Sequence, residues 1–362
     1  MTAQPLRICV IGSSRHPVAE PFAGGLEAHT HALVRGLQRR GHEVSLFARS
    51  GSDPTLGITS LDVAEFCASP VSLRDTNSPS ADWMSDHHAY LSLMLELADA
   101  GRDRYDVVHN NSLHHLPVAM ARAVGVPMVT TLHTPPLPWL ESALALGSSS
   151  SRFVAVSSHC ARSWSATVSS RVVHNGVDTD AWAFGDGGGP AVWTGRFVPE
   201  KAPHEAIDAA RAAGVPLRLA GPIGDAGYYD RSVAPRLGPD AMHVGHLGHR
   251  DLAALVGSAS VALVTPAWDE PYGLVAAEAM ACGTPVAAYA RGALSELVDP
   301  ASGVLVPPGD VAELAAGLLA ARELPRRPVR DSIVARFGID RMVDAYEDVY
   351  RGLLREPDEA VL

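Results

Sequence analysis

Two glutamates bracket a glycine in the run Glu270-Pro271-Tyr272-Gly273-Leu274-Val275-Ala276-Ala277-Glu278. The run follows an apolar segment, Val261–Pro266, that reads as a strand. Pro271 suits the entry to a helix, and Ala276 to Cys282 is strongly helix-forming until Gly283 and Pro285 stop it. This places Glu270 on a loop at a strand's carboxyl end and Glu278 about two turns into the helix. The N–H groups of Gly273, Leu274 and Val275 then point out of the helix N-terminus, where they suit an anion. A carboxylate accepts bonds from a sugar diol. The set therefore fits a ligand carrying both phosphate and hydroxyls. Spacing alone fits equally a helix with two solvated glutamates.

A second group is Thr194-Gly195-Arg196-Phe197-Val198-Pro199-Glu200-Lys201-Ala202, again after a predicted strand. Arg196 offers a planar fork and Lys201 a point charge, a pairing that neutralises a diphosphate without a metal. Lys201 is the only lysine among 29 basic residues. In a chain that uses Arg everywhere else, the exception suggests that Arg would not serve there, although surface charge with a lysine retained by chance fits the same residues. Gly24-Gly25, just before a predicted helix from Leu26, lets backbone approach a ligand closely, although a tight turn needs the same residues. His133 ends a predicted strand, which puts its ring at the carboxyl edge of a sheet.

Other constellations read as structural. Asp178-Thr179-Asp180 has the form of a metal pair but follows Asn175-Gly176 and fits a turn. His87-His88 and His114-His115 are adjacent pairs, and neighbours on a helix do not share a face. Metal ligation is expected at none of these. Ile11-Gly12-Ser13-Ser14 lacks the G-x-G-x-x-G of a dinucleotide fold, and neither a G-x-S-x-G elbow nor a P-loop occurs.

These residues must be held by something. Short apolar runs at Arg7–Gly12, Glu43–Ala48, Asp106–Asn111, Met128–His133, Phe153–Ser158 and Arg171–Gly176 alternate with helical patterns. One of these is the Leu26, Thr30, Leu33, Leu37 stripe ended by Gly41, and another covers Asp82 to Ala100. A second βαβ series has strands at Ala191–Phe197, Pro216–Gly221, Met242–Leu247, Val261–Pro266, Pro285–Ala290 and Gly303–Pro308. Between them, Gly185-Asp186-Gly187-Gly188-Gly189-Pro190 reads as an interdomain linker. The expected architecture is α/β: two Rossmann-like, doubly wound domains facing across a cleft, with ligands at strand carboxyl ends. Residues 1–184 form the first domain and 185–339 the second. Residues 340–362 form a terminal helix whose apolar face carries Met342, Tyr346, Val349 and Tyr350.

Composition sets the limits. A chain of 362 residues suggests two domains, and 47% hydrophobic with 19% charged residues excludes a disordered chain. A net charge of −11 argues against nucleic-acid binding. No apolar run reaches the roughly 18–20 residues that cross a bilayer, and the start of the chain does not read as a signal peptide. Cys9, Cys67, Cys160 and Cys282 form no C-x-x-C, so a reduced cytoplasmic setting is expected.

Taken in order, Gly24-Gly25, Asn175-Gly176-Val177-Asp178, Gly195-Arg196 to Glu200-Lys201, and Glu270 with Glu278 resemble the family 4 retaining glycosyltransferases of GT-B fold, over nearly the whole chain. The resemblance implies a nucleoside-diphosphate sugar donor, bound mainly by the second domain, with no cofactor and no metal. Arg196 and Lys201 would hold the diphosphate, and Glu278 the ribose. Glu270 would meet the sugar hydroxyls, and the backbone at Tyr272, Gly273, Leu274 and Val275 would cap the phosphate. Gly24 and Gly25 would let the first domain close over it, and His133 would stand near the transferred sugar. The terminal helix would cross back onto the first domain. The family often has Glu-Lys-Gly where this chain has Ala202, a minor change provided that residue has φ below zero. No residue stands out as a covalent nucleophile, which fits a front-face mechanism in which the leaving phosphate takes the acceptor proton. A UDP-sugar and a soluble small-molecule or glycan acceptor are expected. Base contacts are expected near His246-Leu247-Gly248. Acceptor contacts are expected in the irregular stretches Thr59–Asp86 and Thr134–Ser151, the latter with Pro135, Pro136, Pro138 and Trp139. A sugar phosphorylase, an epimerase or an inactive binding protein on the same fold is the alternative.

Overall fold

The computed structural model describes residues 4–56, 60–62, 66–146 and 151–355. Parts of the two expected acceptor stretches and both chain ends lie outside them.

The first sheet contains β1 (Arg7–Ile11), β2 (Glu43–Ala48), β3 (Ser60–Asp62), β4 (Val107–Asn110), β5 (Met128–Leu132), β6 (Ser151–Ala155) and β7 (Arg171–Val172), all parallel, in the order 3-2-1-4-5-6-7. The second contains β8 (Ala191–Thr194), β9 (Leu217–Ala220), β10 (Ala241–His243), β11 (Ala262–Val264), β12 (Val286–Tyr289) and β13 (Gly303–Val306), also parallel, in the order 10-9-8-11-12-13. This is the α/β, GT-B arrangement expected. Helices cover both faces of each sheet, so strand residues such as Ile8, Cys9, Val10 and Ile11 are fully buried and the strands read as continuous apolar runs. Edge strand β3 has no counterpart in the sequence reading. It lies in a stretch with no sustained alternation, and its pairing to β2 is a tertiary effect.

In both sheets the strand order reverses at one point, between β1 and β4 and between β8 and β11. Crossovers leave on opposite faces there, and a crevice opens at the carboxyl ends. Both crevices open into the space between the sheets.

The chain then returns. Helix Ile339–Arg355 lays Met342, Val343, Tyr346, Val349 and Tyr350 into the core of the first sheet, beside Leu33, Val34 and Leu37 of helix Gly25–Arg39. The Gly185–Pro190 segment is held as well as connecting. Gly185, Gly187 and Gly189 donate N–H bonds to Cys282 O, Gly257 O and Ser258 O, and Arg326 binds the Gly185 carbonyl at 3.1 Å. Its glycines serve close backbone approach rather than the flexibility that composition suggested.

One side of the interdomain space is closed by bonds. Tyr272 Oη donates to Asn175 O at 2.5 Å and Ser157 Oγ to Pro271 O at 2.6 Å. Glu296 accepts from the N–H groups of Ser158 and His159 at 2.8 and 2.6 Å, capping a helix of the other domain. On the opposite rim, His246 Nε2 meets Phe22 O at 3.1 Å and His249 N–H donates to Glu20 at 3.1 Å. Among the described residues no helix is long and apolar enough to cross a membrane.

Candidate active site

A cleft of about 700 Å³ lies between the two crevices. Its walls include all the catalytic and donor-binding residues expected from sequence, namely Gly24, Gly25, His133, Arg196, Lys201, Glu270, Tyr272, Gly273, Leu274, Val275 and Glu278, but not Gly248, Pro135, Pro136, Pro138 or Trp139.

Lys201 is positioned by a short chain of bonds. The turn Pro199–Lys201 follows β8, and the Thr265 hydroxyl at the end of β11 is shared between the carbonyls of Lys201 (2.9 Å) and Ala202 (3.1 Å). Thr265 itself accepts from the Trp193 indole at 3.1 Å, and Ala267 N–H donates to Glu200 O at 2.8 Å. So held, the Lys201 ammonium lies 2.5 Å from Glu270 Oε2 and 5.5 Å from the centre of the Trp268 ring. Trp268 also donates its indole N–H to the same oxygen at 3.2 Å. Lys201 and Glu270 side chains are 24% and 12% exposed, dry enough for this pair to count. Arg196, 48% exposed, reaches only Glu200, at 4.0 Å, among the described residues and leaves most of its fork open to the cleft.

Ala202 requires a correction. Its φ is +41° and ψ +50°, a left-handed conformation in which a Cβ costs about 1–2 kcal/mol. The condition that made the Gly-to-Ala difference minor is not met. The residue is 1% exposed and is held there by the Thr265 bond and by the start of helix Pro203–Ala212.

The phosphate-sized feature is the N-terminus of helix Leu274–Ala281. Its N-cap, Gly273 at φ +100°, has no side chain to cap with, and the first amides to bond inside the helix are those of Ala276 and Ala277, to Gly273 O. The N–H groups of Gly273, Leu274 and Val275 find no protein acceptor among the described residues. Because the helix begins only at Leu274, Glu278 sits one turn in, not two. Its carboxylate makes no hydrogen bond or ion pair among the described residues, and burial pushes its pKa up to about 7. The Tyr272 side chain is 3% exposed and its hydroxyl is committed to Asn175.

The opposite wall belongs to the first domain. A Cβ on Gly25 would lie 3.1 Å from Leu274 Cδ1, so the glycine pair abuts the anion-ready helix N-terminus. His133 Nε2–H donates to Asn111 Oδ1 at 3.1 Å, and its ring stands 4.9 Å from that of His29. Burial, then His29 and His109, hold the His133 pKa well below the usual imidazole value, so its ring is neutral at pH 7. His29, 3% exposed, has no geometrically good hydrogen bond on either ring nitrogen among the described residues, and burial takes it down to about 4. Beneath them, His109 links Tyr350 (2.6 Å) to Thr131 (2.8 Å), and Thr131 meets Tyr346 at 3.0 Å. The terminal helix thereby underpins the floor of the cleft.

Sequence reasoning missed several of these residues. Glu27 is 4% exposed, lines the cleft and has a carboxyl pKa raised by burial, with Ser13, His16 and Arg196 opposing. In sequence it is an ordinary first-turn acid. Trp268 and Gly292 carry no motif at all. Gly292 matters because a Cβ there would fall 2.2 Å from Glu270 O and 2.3 Å from Glu270 N. Together with Ala293 N–H, which donates to Glu270 O at 2.8 Å, it fixes the Glu270 backbone. His246, Leu247 and His249 line the cleft, while Trp139 is half exposed on helix Pro138–Leu146 with its indole N–H on Leu113 O. Asp178 Oδ1 accepts from the N–H groups of Asp180 and Ala181, so this pair does form a turn.

Residues 23–181 match the family described as Glycosyltransferase Family 4, and residues 186–334 match Glycosyl transferases group 1. The chain is 31% identical to a glycogen synthase of Mycobacterium tuberculosis, over 91% of this chain and 89% of that one. It is 29% identical to a D-inositol 3-phosphate glycosyltransferase of Mycolicibacterium paratuberculosis, over 98% of this chain and 92% of the relative. Among solved structures, Anabaena Alr3699/HepE in complex with UDP-glucose superposes with a TM-score of 0.74. It covers 96% of this chain and 100% of that one at 18% identity, a likeness of fold.

Proposed function

The chain belongs to glycosyltransferase family 4, with a group 1 glycosyl transferase second half, and from that premise we propose that it moves a hexose from a UDP-sugar to an acceptor hydroxyl with retention of configuration. The observation that carries this reading is the meeting, at one strand-end crevice, of two cations, three free amides and two carboxylates. Cleavage of the anomeric C–O bond leaves negative charge on the diphosphate. Arg196, Lys201 and the amides of Gly273, Leu274 and Val275 face that charge in a partly dry site. Glu278 receives the ribose diol and Glu270 the sugar hydroxyls. His133, neutral, acts as a polar contact for the sugar rather than as an acid. In this reading the departing phosphate oxygen takes the acceptor proton on the same face.

Cations and amides supply the neutralisation that a metal would otherwise give, so transfer proceeds without a divalent ion or cofactor. The acceptor is a small molecule or glycan held against the first domain, near His133, Glu27 and the segment from Thr134 to Trp139. The setting is the reducing cytoplasm, consistent with free thiols at Cys9, Cys67, Cys160 and Cys282.

The test is calorimetric titration with UDP, GDP, ADP and dTDP, with and without EDTA, followed by turnover of the matching sugar nucleotide. Chelator-insensitive binding of UDP in preference to the others, weakened in Lys201→Ala, is expected. Binding of free phosphate but no nucleotide would favour a phosphorylase.

A further inference from the structure

His87, His114 and His115 come from two adjacent-histidine pairs that a helical reading keeps apart, and the fold overturns that reading twice. His114 is not helical. It is the N-cap of helix His115–Val124, with φ −87° and ψ 144°, and its ring lies beside that of His115 with centroids 4.4 Å apart. Helix Ala81–Arg104 then packs across this cap and brings His87 to both, with centroids at 6.3 and 6.5 Å. One ring nitrogen from each of the three lies within 4.8 Å of the others. All three are half-buried. Trp83 stacks on His87 at 5.0 Å and Tyr90 on His114 at 4.4 Å, so the cluster is held by rings on its flanks. Nδ1 of His87 is buried with no hydrogen-bond partner among the described residues.

We propose that His87, His114 and His115 bind one transition-metal dication of zinc type, leaving a fourth position to water. Three imidazoles without a carboxylate suit Zn(II), Co(II), Ni(II) or Cu(II) and disfavour Mg(II) and Ca(II). The neighbouring Asp86 is committed elsewhere, to Ser14 at 2.7 Å and Arg15 at 2.6 Å, and contributes only its charge. Ligation needs neutral rings.

Two features set the affinity. A tetrahedral ion with Zn–N near 2.0–2.1 Å places its nitrogens roughly 3.4 Å apart, so binding draws the rings inward by side-chain rotation. His114 Nδ1 also accepts the Leu116 N–H at 3.2 Å, and ligation through either nitrogen of that ring gives up this bond. The ion would cross-link helix Ala81–Arg104 to the loop that begins at Asn111, the partner of His133. The site uses none of the residues assigned to donor binding and does not rest on the donor reading.

The full chain, stripped with EDTA and returned to chelator-free buffer, is titrated calorimetrically with ZnCl2 and, separately, with CoCl2 under visible absorption. One equivalent of Zn(II) is expected, with tetrahedral Co(II) bands and no thiolate charge transfer, which the exposed Cys67 would produce. His87→Ala and His115→Ala should each weaken Zn(II) binding by roughly tenfold or more, with the melting temperature in EDTA unchanged. Absence of a stoichiometric site, a thiolate band, or Zn(II) binding unaltered in both variants overturns the proposal.

Discussion

Lys201 and Glu270 hang from the ends of neighbouring strands, β8 and β11, and meet at 2.5 Å inside the cleft. Each neutralises the other, so a diphosphate and Glu270 compete for one ammonium. The two substitutions should therefore diverge. Lys201→Ala removes a charge-assisted contact of about 1.5–3 kcal/mol and should weaken UDP binding roughly 10- to 100-fold. Glu270→Gln removes the competitor, so UDP should bind as tightly or tighter while hexose transfer falls by roughly 100-fold or more. Calorimetry and turnover on both variants separate the roles. Parallel losses of UDP affinity would instead make the pair a structural ion pair.

Ala202 allows its backbone strain to be measured. Replacing it by Gly relieves about 1–2 kcal/mol of left-handed conformation. The change also gives up about 0.8 kcal/mol of buried methyl and adds about 0.4–1 kcal/mol of unfolded-chain entropy. Ala202→Gly should thus fall within about 0.8 kcal/mol of neutral. Ala206 is equally buried but sits in the following helix, so Ala206→Gly should cost about 2 kcal/mol. Urea unfolding of both variants tests this. Equal losses would mean that residue 202 carries no strain.

The Glu278 carboxyl, raised to about 7 by burial, ties nucleotide affinity to pH. The ribose diol donates to the ionised form. Below pH 7 that form is the minority, and the apparent Kd rises as the ionised fraction falls. UDP should bind roughly tenfold more weakly at pH 6 than at pH 8. Glu278→Gln should bind more weakly throughout and lose most of this slope. A flat profile for the unaltered protein would remove Glu278 from the ribose.

What was legible in the sequence follows from how local each feature is. Strand runs such as Arg7–Ile11 and Val286–Tyr289 are buried on both faces, so burial is written into them without need of partners. The anion-ready helix start is likewise local, since Gly273, the run of alanines and Gly283 all act within a few residues. Glu27, Trp268 and Gly292 were hidden because their roles exist only against distant segments. Gly292, for example, is forced by the Glu270 backbone, more than 20 residues away in sequence. That His87, His114 and His115 lie together in space was hidden for a different reason. An adjacent pair was judged by helical geometry, whereas His114 is a cap with extended backbone. Ala202 failed because φ is a tertiary result of Thr265 and the following helix, and sequence carries no sign of it.

Gly25 gives the sharpest test of how the two domains cooperate. It lies on the first domain, where a Cβ would come 3.1 Å from Leu274 Cδ1 at the helix N-terminus of the second. A methyl at that distance needs a shift of a few tenths of an ångström, which the leucine side chain can supply. A branched side chain needs more, and the neighbour it presses on belongs to the second domain, so its bulk pushes the two domains apart at this contact. Gly25 has no positive φ in this structure, so Gly25→Ala and Gly25→Val differ by bulk rather than by backbone strain. The proposed nucleotide contacts all belong to the second domain and should survive in both variants, with UDP affinity within about threefold. Transfer needs the acceptor wall within bonding distance of the donor, and a 1 Å misplacement is worth roughly 100-fold. Gly25→Ala should therefore lose a few-fold in kcat and Gly25→Val roughly 100-fold, with UDP calorimetry nearly unmoved. If Gly25→Val instead abolished UDP binding, the glycine loop would belong to the donor site itself, and the division of labour between the domains would have to be redrawn.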